Sequence, residues 1–310
     1  MAVTNTTQVS FFQFSGLTKD GRLVPFLFIF FTLVYAVTLV GNTGMITLVQ
    51  LTSSFHTPMY YFLSYLSAVD LCYSSVIMPK MLCDLWSDRK PISYKGCAVQ
   101  LFFFAGLAVT EALLLSGMSY DRYAAICHPL HYNSIMTRKK CWGLVILATC
   151  IGFLQSSVQT SCVFSLHYCG SNVIDHFYCD IPPLLKLSCS RTFPCDTVTV
   201  FFTCSCGIGS MVTVLSSYSL IVASILRMNS AEGRQKAFST CSSHITCISI
   251  FYGTVFFIYL RPPTAAFDKR DKVASVFYSV MIPMLNPLIY SLRNQEVRKV
   301  LRKAIHKSHQ

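Results

Sequence analysis

The chain has 310 residues, of which 53% are hydrophobic and only 12% charged, and a formal net charge of +12. An ordinary globular domain carries about 25% charged residues, so this chain has too little charge to cover a water-facing surface. That excludes intrinsic disorder and disfavours a soluble enzyme, and the distribution of apolar runs turns the positive charge away from a nucleic-acid reading. In chain order, Met1 to Ser10 is polar and has no basic segment followed by an apolar core, so no cleavable signal peptide is expected and the first apolar run must serve as the membrane signal. Seven stretches are long enough to cross a bilayer, which takes about 20 mostly apolar residues. They run roughly Val24–Gln50, Pro58–Leu82, Cys97–Ile126, Cys141–Phe164, Asp196–Leu226, Lys236–Leu260 and Lys272–Leu292. The third and sixth are more polar and marginal by hydropathy alone. No internal repeat relates the halves, which weakens a transporter built on inverted repeats.

These runs predict an all-α membrane protein, a seven-helix transmembrane bundle over residues 24–292. Residues 1–23 precede it, and a short basic amphipathic helix and tail, residues 293–310, follow it. In that tail Val297, Val300, Leu301, Ala304 and Ile305 fall on one helical face, and Arg298, Lys299, Arg302, Lys303 and Lys307 fill the other. This pattern suits a helix lying among the inner lipid headgroups. No Cys follows Cys247, so the tail carries no palmitoyl anchor.

Lys and Arg divide almost evenly between the two sides, so the positive-inside rule does not orient the bundle. Two other features place the N-terminus outside. Asn5-Thr6-Thr7 is a glycosylation sequon, usable only in the secretory lumen. Cys169, Cys179 and Cys189 share one polar loop, where oxidising conditions would pair them. Most of the 15 cysteines lie in apolar runs, where Cys behaves as a small hydrophobe.

Asp70 in the second span and Glu111 in the third are the acids inside the membrane. A charge at the bilayer centre costs at least about 2.5–3.5 kcal/mol, so such groups face the bundle interior and share a partner. With no membrane-embedded Lys or Arg nearby, a shared cation and a shared proton both remain open. Asp70, Glu111 and Asn286 together offer hard oxygen ligands suited to one sodium ion.

Met118-Ser119-Tyr120-Asp121-Arg122-Tyr123 ends the third span and continues through Ala124-Ala125-Ile126-Cys127-His128-Pro129. Gly41-Asn42, His56-Thr57-Pro58-Met59-Tyr60, Ser217-Tyr218, Lys236-Ala237-Phe238-Ser239-Thr240-Cys241-Ser242-Ser243-His244 and Pro283-Met284-Leu285-Asn286-Pro287-Leu288-Ile289-Tyr290 follow in order along the other spans. The ordered set resembles the olfactory receptors, class II branch, among the rhodopsin-like G-protein-coupled receptors, over almost the whole chain. Ser119, Tyr61 and Tyr65 depart from the family pattern, and none of them removes a charged switch residue.

The resemblance implies a receptor, not an enzyme, and no catalytic motif appears. It implies a small volatile ligand and a heterotrimeric G protein of the stimulatory, olfactory type that raises cyclic AMP, at the plasma membrane of olfactory cilia. Lipids are partners; nucleic acid is not. Asp121, Arg122, Tyr123, Tyr218 and Tyr290 become the G-protein switch. Asp121 neutralises Arg122 in the closed state, and the two tyrosines swing inward on activation. A bistable element of this kind is what a switch requires. Pro283 and Pro287 each remove a backbone donor and make a hinge. No cofactor is implied beyond an allosteric sodium ion at Asp70, Glu111 and Asn286. The family pairs Cys97 with Cys179 and Cys169 with Cys189, pinning the loop at about Leu166 to Pro194 as a lid. Cys195 is left free. A metal site at His176 and Cys179 is disfavoured because a disulfide sulfur cannot ligate as a thiolate. His128 and His131, around Pro129, read as G-protein contact rather than metal ligands.

Helical spacing selects inward positions in the outer third of the bundle, where small molecules enter helical receptors. They are Phe104, Ala105, Ala108, Val109 and Ala112 on the third span, and Phe202 and Cys206 on the fifth. Tyr252, Val255, Phe256 and Tyr259 follow on the sixth, and Val276 and Ser279 on the seventh. The set has no Lys, Arg, Asp or Glu, which suits a neutral, mostly apolar ligand with one hydrogen bond, Tyr259 being the first choice of anchor. At about 0.8 kcal/mol per buried methylene the affinity is of micromolar class. The alternatives are a sensor of an endogenous metabolite in another tissue and, more distantly, an ion transporter or channel using Asp70 and Glu111.

Overall fold

A computed structural model describes residues 9–18, 20–259, 269–293 and 297–300. The chain opens with strand β1 (Phe11–Phe14) and a turn of 3-10 helix, then enters α1 (Val24–Leu51) with Pro25 in its first turn, where a missing N–H does no harm. Then come α2 (Pro58–Leu85), β2 (Pro91–Ser93) and α3 (Tyr94–Cys127). The inner loop that follows holds the single turn α4 (Tyr132–Ile135) before α5 (Arg138–Phe164). The outer lid carries β3 (Val173–Ile174) and α6 (Ile181–Leu187), and α7 (Phe193–Leu226) and α8 (Ala231–Tyr259) follow. The last spanning element is α9 (Lys269–Val276), a π-helical turn (Phe277–Met281) and α10 (Ile282–Arg293).

Among the described residues six helices are long and apolar enough to cross a membrane. The third is among them, against the expectation that its polar residues leave it marginal; α8 is not. Their composition explains the arrangement. Along α1 half of the side chains stay exposed, as on a face turned to lipid, and its buried stripe is Phe31, Val34, Thr38, Asn42, Met45 and Val49. Spacings of three and four residues put that stripe on one face of the helix. Side-chain caps start two other helices: Ser93 accepts from Gly96 N–H at 3.0 Å and Thr137 from Lys140 N–H at 3.3 Å.

Small residues set the closest helix contact. A Cβ at Gly152 of α5 would stand 2.5 Å from both the Gly106 carbonyl and Thr110 Oγ1 of α3. The two backbones therefore meet as membrane helices do through small side chains. Ser156 Oγ donates to the Phe102 carbonyl at 2.6 Å across the same seam.

The π-helical turn lies just before Pro283. A proline ring clashes with the carbonyl four residues back in a regular helix. The wider turn puts that clash point inside the bulge, and π-bulges recur at functional sites.

Outside the bundle the all-α expectation gains a small sheet in the order β2-β1-β3. β1 runs antiparallel to β2 (Phe12 opposite Ile92) and parallel to β3 (Phe14 opposite Ile174). A separate apolar cluster lies beneath it, including Phe12, Phe14, Leu101, Val163, Tyr168, Ile174 and Leu184.

Three disulfides tie the outer surface: Cys97–Cys179, Cys169–Cys189 and Cys162–Cys195. The third corrects the expectation that Cys195 is free. Cys162 lies in the last turns of α5, where an apolar run hides it as an ordinary small hydrophobe. The folded lid returns the start of α7 to that level, and the two Cα atoms are 5.6 Å apart, within bonding range. At the other end of the chain residues 297–300 are helical and Val297 is fully buried. The rest of the amphipathic tail, Leu301, Arg302, Lys303, Ala304, Ile305 and Lys307, and the sequon Asn5 lie outside the described residues.

Candidate functional site

At the outer level α3 presents Phe104, almost fully buried. Its ring stacks on Tyr73 of α2 at 5.2 Å, and lies 4.7 Å from Tyr178 and 5.7 Å from Tyr278. Tyr178 comes from the lid, held over α3 by the neighbouring Cys97–Cys179 bond. Its hydroxyl meets the hydroxyl of Tyr278 in the π turn and donates to Asp180 Oδ2 at 3.4 Å. The lid is fixed further by Gln100, which accepts from Cys179 N–H at 2.9 Å. Phe104 was legible from helical spacing; Tyr73, Tyr178 and Tyr278 were not selected. The signal for Tyr178 was its place beside a cysteine bonded to the third span.

The other selected positions divide. Ala105, Ala108, Val109, Ala112, Cys206 and Val276 are half-buried, and Ala108, Ala112 and Val276 pack on the main core. Phe202 is half-buried beside an exposed Phe201. Tyr252 is buried against Phe251. Ser279 is buried, and its hydroxyl donates to the Ser275 carbonyl at 2.6 Å, leaving only its lone pairs for a ligand. The side chains of Val255, Phe256 and Tyr259 lie outside the described residues.

The lid brings two titratable groups to this level that the helices do not supply. Burial pushes the His176 imidazole down to about 3, helped by the Lys272 charge, so it is neutral. Burial pushes the Asp180 carboxyl up to about 6, against hydrogen bonds from Ile181 N–H and the Tyr178 hydroxyl. The sulfur of Cys179 is spent on Cys97.

At mid-depth one amide gathers both acids. Asn286 Nδ2 donates to Asp70 Oδ2 at 3.0 Å and to Glu111 Oε1 at 3.2 Å. All three are buried, and Asp70 Oδ1 accepts no hydrogen bond among the described residues. Nearby, Asn42 Nδ2 donates to the Pro283 carbonyl at 2.9 Å, binding α1 to the proline-modified stretch of α10. A buried orphan oxygen beside a second carboxylate offers hard oxygen ligands to a monovalent cation, while Asn286 turns its amide nitrogen, not its oxygen, to both acids.

At the inner level Asp121 Oδ1 accepts from the Tyr132 hydroxyl of α4 at 2.8 Å. No Asp121–Arg122 ion pair within 4.0 Å is present among the described residues, so the neighbouring loop, rather than a direct pair, satisfies this carboxylate oxygen. Tyr123 pairs with His128 Nε2 at 3.0 Å, which gives His128 a place inside the switch region. Tyr218 pairs with His244 Nδ1 of α8 at 2.7 Å, and His244 is fully buried. His244 ends the motif starting at Lys236 but was not selected. Tyr290 is buried on α10.

The family model described as "Olfactory receptor" matches residues 31–308. Olfactory receptor 5B12 of Homo sapiens is 50% identical over 304 residues, covering 98% of this chain and 97% of that protein. Olfactory receptor 8A1 of Homo sapiens is 51% identical over 306 residues, covering 98% and 93%. Olfactory receptor 5G9 of Mus musculus is 49% identical over 309 residues, covering 99% and 98%. Among solved structures, squid rhodopsin superposes with a TM-score of 0.69 at 17% identity, over 92% of this chain and 81% of that one, a likeness of fold.

Proposed function

The chain belongs to the olfactory receptor family, and from that premise we propose that it binds a small, neutral, mostly apolar volatile in the outer half of the bundle and activates an olfactory-type stimulatory G protein to raise cyclic AMP. It is a multi-pass membrane receptor rather than an enzyme, with a small ligand and a heterotrimeric G protein as partners. The outer N-terminus and a place in sensory cilia belong to the same proposal.

The observation that carries the ligand reading is the aromatic cluster of Phe104, Tyr73, Tyr178 and Tyr278 beneath the lid. Rings there bury an apolar body, and the paired Tyr178 and Tyr278 hydroxyls, whose protons go to each other and to Asp180, offer lone pairs to one ligand donor. Ala105, Ala108, Val109, Ala112, Phe202, Cys206, Tyr252, Val276 and Ser279 would complete the walls. Sodium at Asp70, Glu111 and Asn286 would favour the closed state and so oppose the volatile.

Asp121, Arg122, Tyr123, Tyr218 and Tyr290 would carry the change inward. In the closed arrangement Tyr218 is held by His244 and Asp121 by Tyr132. Opening the inner end frees Tyr218 from His244 and uncovers Arg122, whose Nε is buried without a partner among the described residues, for the G protein. A screen of neutral volatiles read out as cyclic AMP tests the reading. Arg122→Ala should abolish the response while the protein still reaches the cell surface; normal signalling from that variant refutes the switch. A receptor answering only amines or dicarboxylates refutes the pocket.

A further inference from the structure

Above the aromatic cluster one lysine joins three segments that are remote in the chain. Lys272, near the start of α9, donates from Nζ to Ser15 Oγ at 2.9 Å, to the Gly16 carbonyl at 3.4 Å and to Asp175 Oδ1 at 2.7 Å. An ammonium has three donors, and here each meets an acceptor. Ser15 Oγ donates to the same Asp175 oxygen at 2.7 Å, which closes the group. Ser15 follows the last residue of β1 and Asp175 follows the last residue of β3, so the group sits where the two parallel strands end. Backbone bonds hold that corner: Ser15 N–H donates to the Ile174 carbonyl at 2.9 Å and Gly16 N–H to the His176 carbonyl at 3.2 Å.

The Asp175 side chain is 66% exposed, and an ion pair so open to water contributes little to stability. Its placement gives it another effect. Tyr178 lies three residues beyond Asp175 on the lid, and Tyr278 lies six residues beyond Lys272 on the last spanning element. Their hydroxyls meet. Lid and helix are therefore joined at two heights, about 9 Å apart at a rise of 1.5 Å per residue. A helix held at one point can pivot; held at two, its rotation toward the lid is fixed. From this geometry we propose that Lys272 is a positioning residue for the ligand site. By tying α9 to the lid and to the end of β1, it sets the register in which the Tyr178 and Tyr278 hydroxyls meet, and so how firmly a ligand hydroxyl is held there. The inference rests on the placement of the volatile at the Phe104 cluster.

The test uses the full-length receptor with Lys272→Met, which keeps the stem and removes the donors, and Lys272→Arg, which keeps charge and donors. Without ligand, in lipid nanodiscs, amide hydrogen exchange over residues 11–18 and 173–178 should quicken roughly two- to fivefold in Lys272→Met, the worth of one partly exposed ion pair, and stay near wild type in Lys272→Arg. Unchanged exchange in Lys272→Met overturns the positioning without recourse to any ligand. Primary alcohols from butanol to decanol and the matching alkanes are then compared in cyclic AMP dose–response curves. Lys272→Met should lower the potency of an alcohol relative to its alkane by roughly the same two- to fivefold, and Lys272→Arg should restore it. In a Tyr178→Phe background Lys272→Met should change that ratio no further, because the hydroxyl pair it positions is already gone. Equal loss for alcohol and alkane, or an undiminished effect in the Tyr178→Phe background, overturns the positioning and leaves Lys272 a tie between segments. Quickened exchange in a receptor silent to every neutral volatile overturns the placement of the ligand instead, and with it the part of Lys272 in holding one.

Discussion

Tyr178 reaches the bundle from a loop, and its position depends on one covalent neighbour and on its hydroxyl contacts with Tyr278 and Asp180. Cys179 fixes its backbone to α3, and the Tyr278 hydroxyl fixes its tip to the π turn. Tyr178→Phe keeps the ring over Phe104 and removes the tip contact. A net hydrogen bond is worth about 0.5–1.5 kcal/mol, so the potency of a hydroxyl odorant, which can donate to the Tyr178 oxygen, should fall roughly two- to tenfold in a cyclic AMP dose–response curve. A pure hydrocarbon ligand should lose less. The adjoining His176 and Asp180 give the lid opposing responses to acid. His176 ordinarily titrates at 6.5 and in the folded lid at about 3. Between those values the unfolded chain takes the proton and the folded lid does not, so stability falls as pH drops below 6.5. Asp180 moves from an ordinary 3.8 to about 6. Its folded form takes the proton first, so it adds stability as pH drops through 6 and loses it as pH rises again. Each unit of difference is worth about 1.4 kcal/mol at most. Thermal unfolding of purified receptor should therefore show Asp180→Asn melting earlier at pH 5 than at pH 6.5, and His176→Gln melting later. Equal slopes in the two variants would mean that the lid does not unfold with the transition observed.

Between elements, the α3–α5 seam is the tightest fit and the easiest to break. Gly152→Ala puts a methyl 2.5 Å from the Gly106 carbonyl and Thr110 Oγ1, and backbone cannot withdraw as a flexible side chain can. Overpacking of this sort costs about 1–3 kcal/mol, so surface yield and melting temperature should drop. Gly143→Ala on the same helix meets nothing within 4 Å and should be neutral or slightly stabilising, since Ala is the better helix former. The same contrast explains what could be read from the chain beforehand. Long apolar runs with buried stripes are local patterns, so the seven helical stretches and Phe104 were legible. The Gly152 contact, the Tyr218–His244 pair and the Cys162–Cys195 bond each join residues from different stretches, and periodicity carries no information about partners. Ser279 was chosen for its face, but its proton goes to the carbonyl one turn back, a local competition that side-chain type alone does not reveal. The β1 strand, Phe-Phe-Gln-Phe, was missed because four residues are too few to show a span or a period, and its pairing partners lie in two other loops. Cys195→Ser breaks the Cys162–Cys195 bond and should impair surface delivery, since loss of a native disulfide typically costs about 2–5 kcal/mol. Surface staining of Cys162→Ser and Cys195→Ser against the double variant checks it: one shared bond predicts that the double loses no more than either single.

At the scale of the whole receptor the outer lid and the inner switch must communicate through the middle of the bundle, and Asn286 stands there. One amide on α10 holds a carboxylate of α2 and another of α3, so rotation of α10 cannot proceed without remaking both bonds. Directly above, the π turn carries Tyr278 in the aromatic cluster; four residues beyond Asn286, Tyr290 belongs to the switch. A ligand that shifts Tyr278 therefore acts on the same helix that closes the acid pair. Two buried acids with one shared donor need a further positive charge, a sodium ion or a proton, and the two make different predictions. Sodium held by Asp70, Glu111 and Asn286 in the closed arrangement alone must weaken the volatile, and linkage makes the effect reciprocal. Coupling of this kind typically amounts to about 1–3 kcal/mol, so replacing sodium by choline should raise odorant potency roughly 5- to 150-fold. Asp70→Asn removes a ligand and a charge, so its dose–response curves should coincide in the two salts. If the wild type is indifferent to sodium but Asp70→Asn still shifts potency, the pair shares a proton instead. In that case Glu111→Gln, which mimics the protonated acid while keeping a hydrogen-bonding side chain, should leave the receptor closer to wild type than Asp70→Asn does.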